Sequence, residues 1–236
     1  MKSRQSTSVQ LTGPQFKNTK ERGLKILEIL QKAMAQFPAP MSLQLKEIFG
    51  PDSFVILISC LLSLRARDIQ TLPVSLELFK RARTPRELLD IPIQDLEKIL
   101  YSLGYYKQKA KILREVCQQL LRDFNGTVPS TIAQLRSLKY VGPKTANLVA
   151  SVAFGQQAIC VDIHVHRISN RLGLVVSKTP EETEQQLQEL FPQQYWTQIN
   201  ELFVTLGQNI CVPISPKCSI CPVRELCPRV GVTIHR

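Results

Sequence analysis

Apolar residues along this chain recur at helical intervals, and the two-residue alternation of a half-buried strand hardly appears. After Asn18-Thr19-Lys20-Glu21, the residues Ile26, Leu27, Leu30, Ala33, Met34 and Phe37 share one face until Pro38 and Pro40 end the run. Asp52 can cap a helix over residues 54–64 that is apolar on nearly every side, the pattern of a helix at the centre of a core. Thr84-Pro85-Arg86-Glu87 has the form of a capping box with proline in the first turn, and Thr179-Pro180-Glu181-Glu182 repeats it. Further helices are predicted over 93–102, stopped by Gly104, and over 108–124, stopped by Asn125-Gly126. Others cover 130–137 and 143–154, the latter closed by Gly155. Two more end near Arg171 and Phe191, and a last one covers 195–206. The predicted class is all-α.

Composition adds limits to this pattern. With 236 residues, 44% hydrophobic and 21% charged, the chain can bury a sizeable core, and neither wholesale disorder nor a collagen-like repeat fits. The longest unbroken apolar run covers residues 54–58, too short to cross a bilayer. The first residues are basic and polar and lack the apolar stretch of a secretory signal. An intracellular protein is expected, in the cytoplasm or nucleoid if the source is prokaryotic.

The formal charge of +11 is unevenly placed. Residues 1–44 carry seven Lys/Arg and two Asp/Glu, residues 45–157 carry sixteen and ten, and residues 158–236 carry seven of each. An excess confined to the first two-thirds suggests a face for a polyanion. The charge shift near 157 and the break at Pro38-Ala39-Pro40 divide the chain. A disordered basic arm is expected over 1–17, an N-terminal helical segment over 18–44, a helical domain over 45–157 and a smaller unit over 158–236, completed by the N-terminal segment.

Four of the seven cysteines, Cys211, Cys218, Cys221 and Cys227, follow the pattern C-x6-C-x2-C-x5-C. Thiolates so close in sequence can converge with little loop entropy to overcome, which points to a metal centre. Zinc normally uses two short paired knuckles, whereas one short pair with two longer arms suits the four corners of a cubane cluster, so the spacing favours iron–sulfur over zinc. Cys60, Cys117 and Cys160 lie in apolar contexts and read as packed core thiols.

Leu138-Lys139-Tyr140-Val141-Gly142-Pro143-Lys144-Thr145-Ala146 joins two predicted helices through a very short turn. Gly142 permits backbone geometry closed to other residues, Pro143 suits the first helical position, and the exposed amides of such a helix start can hold a phosphate. Read blandly, it is an ordinary helix–turn–helix corner. The positive end of the helix dipole disfavours an ammonium on Lys144 and so favours its nucleophilic free amine; the plain alternative is a solvated surface charge. Asp162 precedes Ile163-His164-Val165-His166-Arg167 and reads both as an N-cap and as a half-buried carboxylate facing the hairpin. His164 and His166 read as packing or phosphate contacts, not metal ligands.

Taken in order, the hairpin with Lys144, the segment Val161-Asp162-Ile163-His164 and the four-cysteine loop resemble the endonuclease III family of helix-hairpin-helix DNA glycosylases, over about residues 23–227. The resemblance implies a two-domain all-α fold in which a six-helix barrel domain packs against an iron–sulfur cluster domain. It implies one 4Fe–4S cluster on the four cysteines, and a monomer whose partner is double-stranded DNA containing damaged bases or abasic sites. The implied activity is that of a base-excision repair glycosylase with abasic-site lyase action on oxidised or damaged pyrimidines. Alternatives are a mismatch or pyrimidine-dimer glycosylase on the same scaffold, or a non-catalytic iron–sulfur damage sensor.

By resemblance, Lys144 attacks C1′ of the damaged nucleotide and Asp162 assists it, with β-elimination cutting the backbone 3′ to the lesion. Tyr140, Val141, Gly142, Pro143, Thr145 and His164 would contact DNA. Arg65 stands where the family usually has a gap-filling glutamine, and Tyr105 would be a wedge stacked at the vacated site, its bland alternative being a core aromatic. Tyr140 replaces a usual glycine. A single basic residue, Lys217, lies between Cys211 and Cys218, where the family often has more, so weaker contact of this loop with DNA is expected.

Overall fold

The computed structural model describes residues 18–236, so the arm expected over 1–17 lies outside the described residues. Helix α1 (Thr19–Met34) is followed by α2 (Met41–Phe49), α3 (Ser53–Ser63), α4 (Asp68–Phe79), α5 (Pro85–Asp90), α6 (Ile93–Leu100), α7 (Tyr106–Phe124), α8 (Ile132–Ser137) and α9 (Pro143–Phe154). Then come α10 (Ile163–Arg171), α11 (Pro180–Leu190) and α12 (Trp196–Asn209), and the fold ends in short 3-10 turns. No strand occurs among the described residues.

The side chains that start these helices are those the sequence nominates. Asn18 Oδ1 accepts from the amide of Glu21 at 2.9 Å, and Asp52 Oδ1 accepts from Phe54 and Val55 at 3.0 and 3.1 Å. The box at Thr84 closes in both directions, with Glu87 N–H donating to Thr84 Oγ1 and Thr84 N–H to Glu87 Oε2. At Thr179 only half of it forms, because the Glu182 carboxylate takes the amide of Lys178 instead.

Two helices depart from the sequence expectation. Helix α2 starts at Pro40 without a side-chain cap, and α4 carries Pro73 inside it, so each lacks the usual start signal or contains a breaker. Pro73 is exposed, which leaves the carbonyl one turn earlier within reach of water.

Apolar side chains separate into two cores. Helices α2 to α9 bury one cluster around α3, in which nine consecutive residues, Phe54 to Leu62, are buried. Six of these eight helices have eight residues or more, while α5 and α8 have six each. Helix α1 packs with α10, α11 and α12 in the second cluster. The chain passes from the second core to the first across Pro38–Pro40: Met41 and Leu45 already belong to the first, so the break falls a few residues before 45. It returns between Val152 and Ile159.

Polar groups join the two cores along their seam. Asp68 Oδ2 accepts from the amide of Met41 at 3.3 Å and from Gln208 Nε2 at 3.0 Å. Buried Asn147 on α9 donates to the carbonyl of Ile159 and to Glu184 Oε1, and Asn200 on α12 donates to the carbonyl of Cys160. No described helix is long and apolar enough to cross a membrane.

Within the second core α1 approaches Phe191 so closely that a Cβ on Gly23 would lie 2.7 Å from the ring. Gly23→Ala is therefore expected to destabilise the protein by about 1–3 kcal/mol through overpacking, read from chemical denaturation. Unchanged stability would mean that Phe191 relaxes freely.

Candidate functional site

The hairpin between α8 and α9 is held from behind by α7. Gln119 donates from Nε2 to the carbonyl of Ser137 at 3.0 Å and accepts the amide of Lys139 at 2.9 Å, fixing both sides of the turn. The Tyr140 hydroxyl donates to Glu115 Oε2 at 2.9 Å, with Lys139 3.4 Å from the same oxygen. That hydroxyl, followed by the lysines, holds the Glu115 carboxyl below its usual range.

The left-handed residue of this turn is Tyr140, at φ +64°, while Gly142 sits at φ −84°. The expectation that Gly142 supplies the special backbone geometry is thus corrected: the sharp bend comes two residues earlier. A Cβ on Gly142 would meet nothing within 4 Å, so its bareness leaves open space for a group from outside. Helix α9 has no side-chain cap, and the amides of its first turn have no side chain placed to accept from them. Two residues nominated for DNA contact turn inward instead, Val141 at 6% and Thr145 at 5% exposure, because they are the apolar and small positions by which α9 and its turn pack on the core. Only the backbone of Thr145 is then placed for an external ligand.

Lys144 is exposed in the first turn of α9. Asp162 is half-buried and caps α10, its Oδ1 accepting from the amides of His164 and Val165, both at 2.8 Å. The two charges act on the same neighbours. Burial pushes the Cys160 thiol upward while Lys144 opposes and Asp162 reinforces this, and the Cys160 Sγ lies 3.4 Å from the Lys144 carbonyl. Burial lowers the pKa of His164, with Asp162 opposing, and Arg167 and Lys144 adding to the fall. Lys144 opens α9 and Asp162 caps α10, two helix starts linked through the Cys160 thiol at the Lys144 carbonyl.

His164 packs against α12 at Gly207, where a Cβ would strike its ring. Its Nδ1 lies 3.1 Å from Arg167 Nη2. A guanidinium only donates, so Nδ1 accepts and the neutral ring carries its proton on Nε2. Arg167 continues to the carbonyl of Cys211 at 2.9 Å. This link between Asp162's helix and the cysteine loop has no signal in the sequence beyond the i, i+3 spacing of His164 and Arg167.

Arg65 and Tyr105 occupy two other turns, both exposed and both left-handed, at φ +57° and +59°. With Tyr140, they make up three of the six non-glycine residues at positive φ among the described residues. Such conformations persist only where the surrounding structure enforces them, and they gather at functional sites. The core thiols Cys60, Cys117 and Cys160 are buried, and burial raises Cys60 and Cys117 to about 12, which keeps them protonated and unreactive.

Cys211, Cys218, Cys221 and Cys227 line a single cavity with Ile168 and Leu206. Donors surround their sulfurs: Arg171 Nη1 lies 3.5 Å from Cys211 Sγ, and the amides of Val223 and Arg229 point at Cys221 and Cys227. Arg22 of α1 clamps the chain beside them, donating to the carbonyls of Leu172, Gly173 and Leu226.

Residues 58–193 match the HhH-GPD superfamily base excision DNA repair protein model, and residues 211–227 match the iron-sulfur binding domain of endonuclease III. Endonuclease III of Thermotoga maritima is 44% identical over 75% of this chain and 83% of its own length. The chain belongs to the endonuclease III family. The mouse endonuclease III-like protein 1 is 36% identical over 74% of this chain and 59% of that longer protein. A trapped endonuclease III–DNA covalent intermediate superposes with a TM-score of 0.79 at 32% identity, covering 90% of this chain and 97% of that one.

As a member of this family, the protein is a base-excision DNA glycosylase and lyase that carries a 4Fe–4S cluster. The donor set fits that group. Cys211, Cys218, Cys221 and Cys227 line one cavity, and four thiolates are the donors that the four corners of a cubane take. Arginines and amides directed at sulfur offset the charge of four thiolates.

Cys221→Ser is expected to diminish the broad absorption near roughly 400 nm and the bound iron of the purified protein. Full iron content and an unchanged spectrum would show that Cys221 is no ligand. Asp162→Ala should cost about 1 kcal/mol of stability through the lost cap. Asp162→Asn should cost much less, because Asn caps nearly as well, and urea denaturation of both variants checks this.

Proposed function

We propose that Lys144 is the nucleophile and Asp162 its charged partner, in an enzyme acting on oxidised or otherwise damaged pyrimidines in duplex DNA. The observation that carries this is that Lys144 opens α9 and Asp162 caps α10, while the Sγ of Cys160, two residues before Asp162, lies 3.4 Å from the Lys144 carbonyl. Lys144 is the exposed member, able to meet an extruded nucleotide, and Asp162 is held by α10 through one oxygen, leaving Oδ2 for other work.

In this reading the Lys144 amine forms a bond to C1′ as the bond from C1′ to the base breaks, and that electron pair leaves with the base. Loss of a proton from nitrogen and opening of the C1′–O4′ bond give a Schiff base. Removal of a C2′ proton then expels the 3′ phosphate and cuts the strand. Asp162 would take a proton from the lysine as general base, or hold negative charge where the sugar becomes positive.

The turn at Gly142 and the uncapped start of α9 would receive a backbone phosphate, which positions the duplex without reading its sequence. Arg65 would fill the gap left by the extruded nucleotide, and Tyr105 would stack as the wedge. The damaged-pyrimidine class rests on the family resemblance. The protein would act as a monomer, inside the cell, in the cytoplasm or at the nucleoid of a prokaryotic source.

Borohydride reduction on abasic-site duplex tests the reading, because it captures the Schiff base as a stable protein–DNA adduct. The wild type should be trapped and Lys144→Gln should lose the adduct entirely. Undiminished trapping with Lys144→Gln would remove Lys144 from the mechanism.

A further inference from the structure

Lys109 lies on α7 and is only 6% exposed. A lysine that served its helix alone would carry its head into water along an apolar stem. Here the ammonium turns inward and donates to the carbonyls of Leu62 and Leu64, at 2.8 and 2.6 Å, which lie 47 and 45 residues earlier. Those carbonyls belong to the end of α3, where helix geometry leaves acceptors without partners and the dipole favours a cation. Leu64 immediately precedes Arg65, the left-handed residue of the turn between α3 and α4. The amide of Lys109 donates to the carbonyl of Tyr105 at 2.9 Å, and Tyr105 is the left-handed residue that starts α7. One residue therefore grips two distant turns, each bent at a strained position.

We propose that Lys109 is a positioning residue that locks the Arg65 turn to the Tyr105 turn, so that gap filler and wedge enter the duplex as one unit. The inference rests on the reading of Arg65 and Tyr105 given above. Without the ammonium, two acceptors at the end of α3 lose their donor, and the Arg65 turn is released from α7 while Lys144 and Asp162 keep their places. The loss should fall on extrusion of a paired base. A preformed abasic site, which has no base to unpair, should be affected far less.

Lys109→Met keeps the stem and removes both donors. In cluster-loaded protein, single-turnover excision of an oxidised thymine from duplex DNA is expected to slow about 10- to 100-fold, the scale of an ångström-sized misplacement. Cleavage of a preformed abasic site in the same duplex should change by less than about threefold, and adding Arg65→Ala to Lys109→Met should cost less than about twofold more, as for residues acting through one contact. Equal losses on both substrates would mark Lys109 as merely structural and overturn the inference. So would unchanged excision in Lys109→Met when Arg65→Ala and Tyr105→Ala each slow it. If those two variants leave excision unchanged, the wedge reading fails instead. Should Lys109→Met not fold, Lys109→Gln retains one donor group and should show the same substrate split at smaller size; equal losses in that variant overturn the inference as well.

Discussion

A helix with no solvent face constrains everything around it, and α3 is that helix. From Phe54 to Leu62 each residue is buried, so neighbours must cover it on every side, and α2, α4, α7 and α9 do so. Enclosure creates a second demand at its end. Carbonyls that water would satisfy on an exposed helix must find donors inside the protein, and an unpaired one costs about 1–3 kcal/mol. The ammonium of Lys109 meets this demand. The same α7 supports the hairpin through Gln119 and Glu115, so a single helix of 19 residues braces the left-handed turns at Arg65, Tyr105 and Tyr140. Core packing and placement of the turns are thus one problem with one solution.

The second core has a matching device in α10. Its first residue follows Asp162 and its last, Arg171, donates to the carbonyls of Val212 and Pro213 and reaches the sulfur of Cys211. Arg167, midway along, ties His164 to the carbonyl of Cys211. The Asp162 carboxylate and the contacts to the cysteine loop therefore sit at opposite ends of a nine-residue rod. Four thiolates closed on one cluster would fix the loop against which α10 is braced, and through α10 they would steady Asp162. Arg22 extends the brace to α1, which explains in packing terms why the N-terminal helix joins the C-terminal core and not the nearer one in sequence.

What was legible in the chain was what depends on near neighbours. Asp52, Thr84 and Thr179 announce their helices because a cap acts across three residues, and the four cysteines announce their centre because seventeen residues contain them all. Helices α2 and α4 were not legible, since prolines at Pro40 and Pro73 outweigh local pattern until tertiary burial is known. The turn at Tyr140 misled for a related reason. Glycine is the usual owner of positive φ and the sequence offers Gly142, whereas a tyrosine bears the strain with its hydroxyl anchored to Glu115. Lys109 was invisible because its partners are backbone atoms more than forty residues away, and no side-chain pattern marks a carbonyl.

The charge distribution acquires a finer meaning from these contacts. A carboxylate beside a turn that received a phosphate would ordinarily repel it, and Glu115 sits next to the α8–α9 turn. Its charge is engaged by the Tyr140 hydroxyl and by Lys139, with Lys111 4.0 Å away, so the acid fixes the turn from behind while cations outnumber it. Several of the basic residues that raise the count in residues 45–157 are likewise engaged by partners within the protein. Lys109 and Arg114 bind carbonyls, and Arg83 pairs with Asp52. The number of cations free to meet DNA is thus smaller than the net charge implies. It follows that position, set by α3 and α7, governs how this surface meets a duplex at least as much as total charge does.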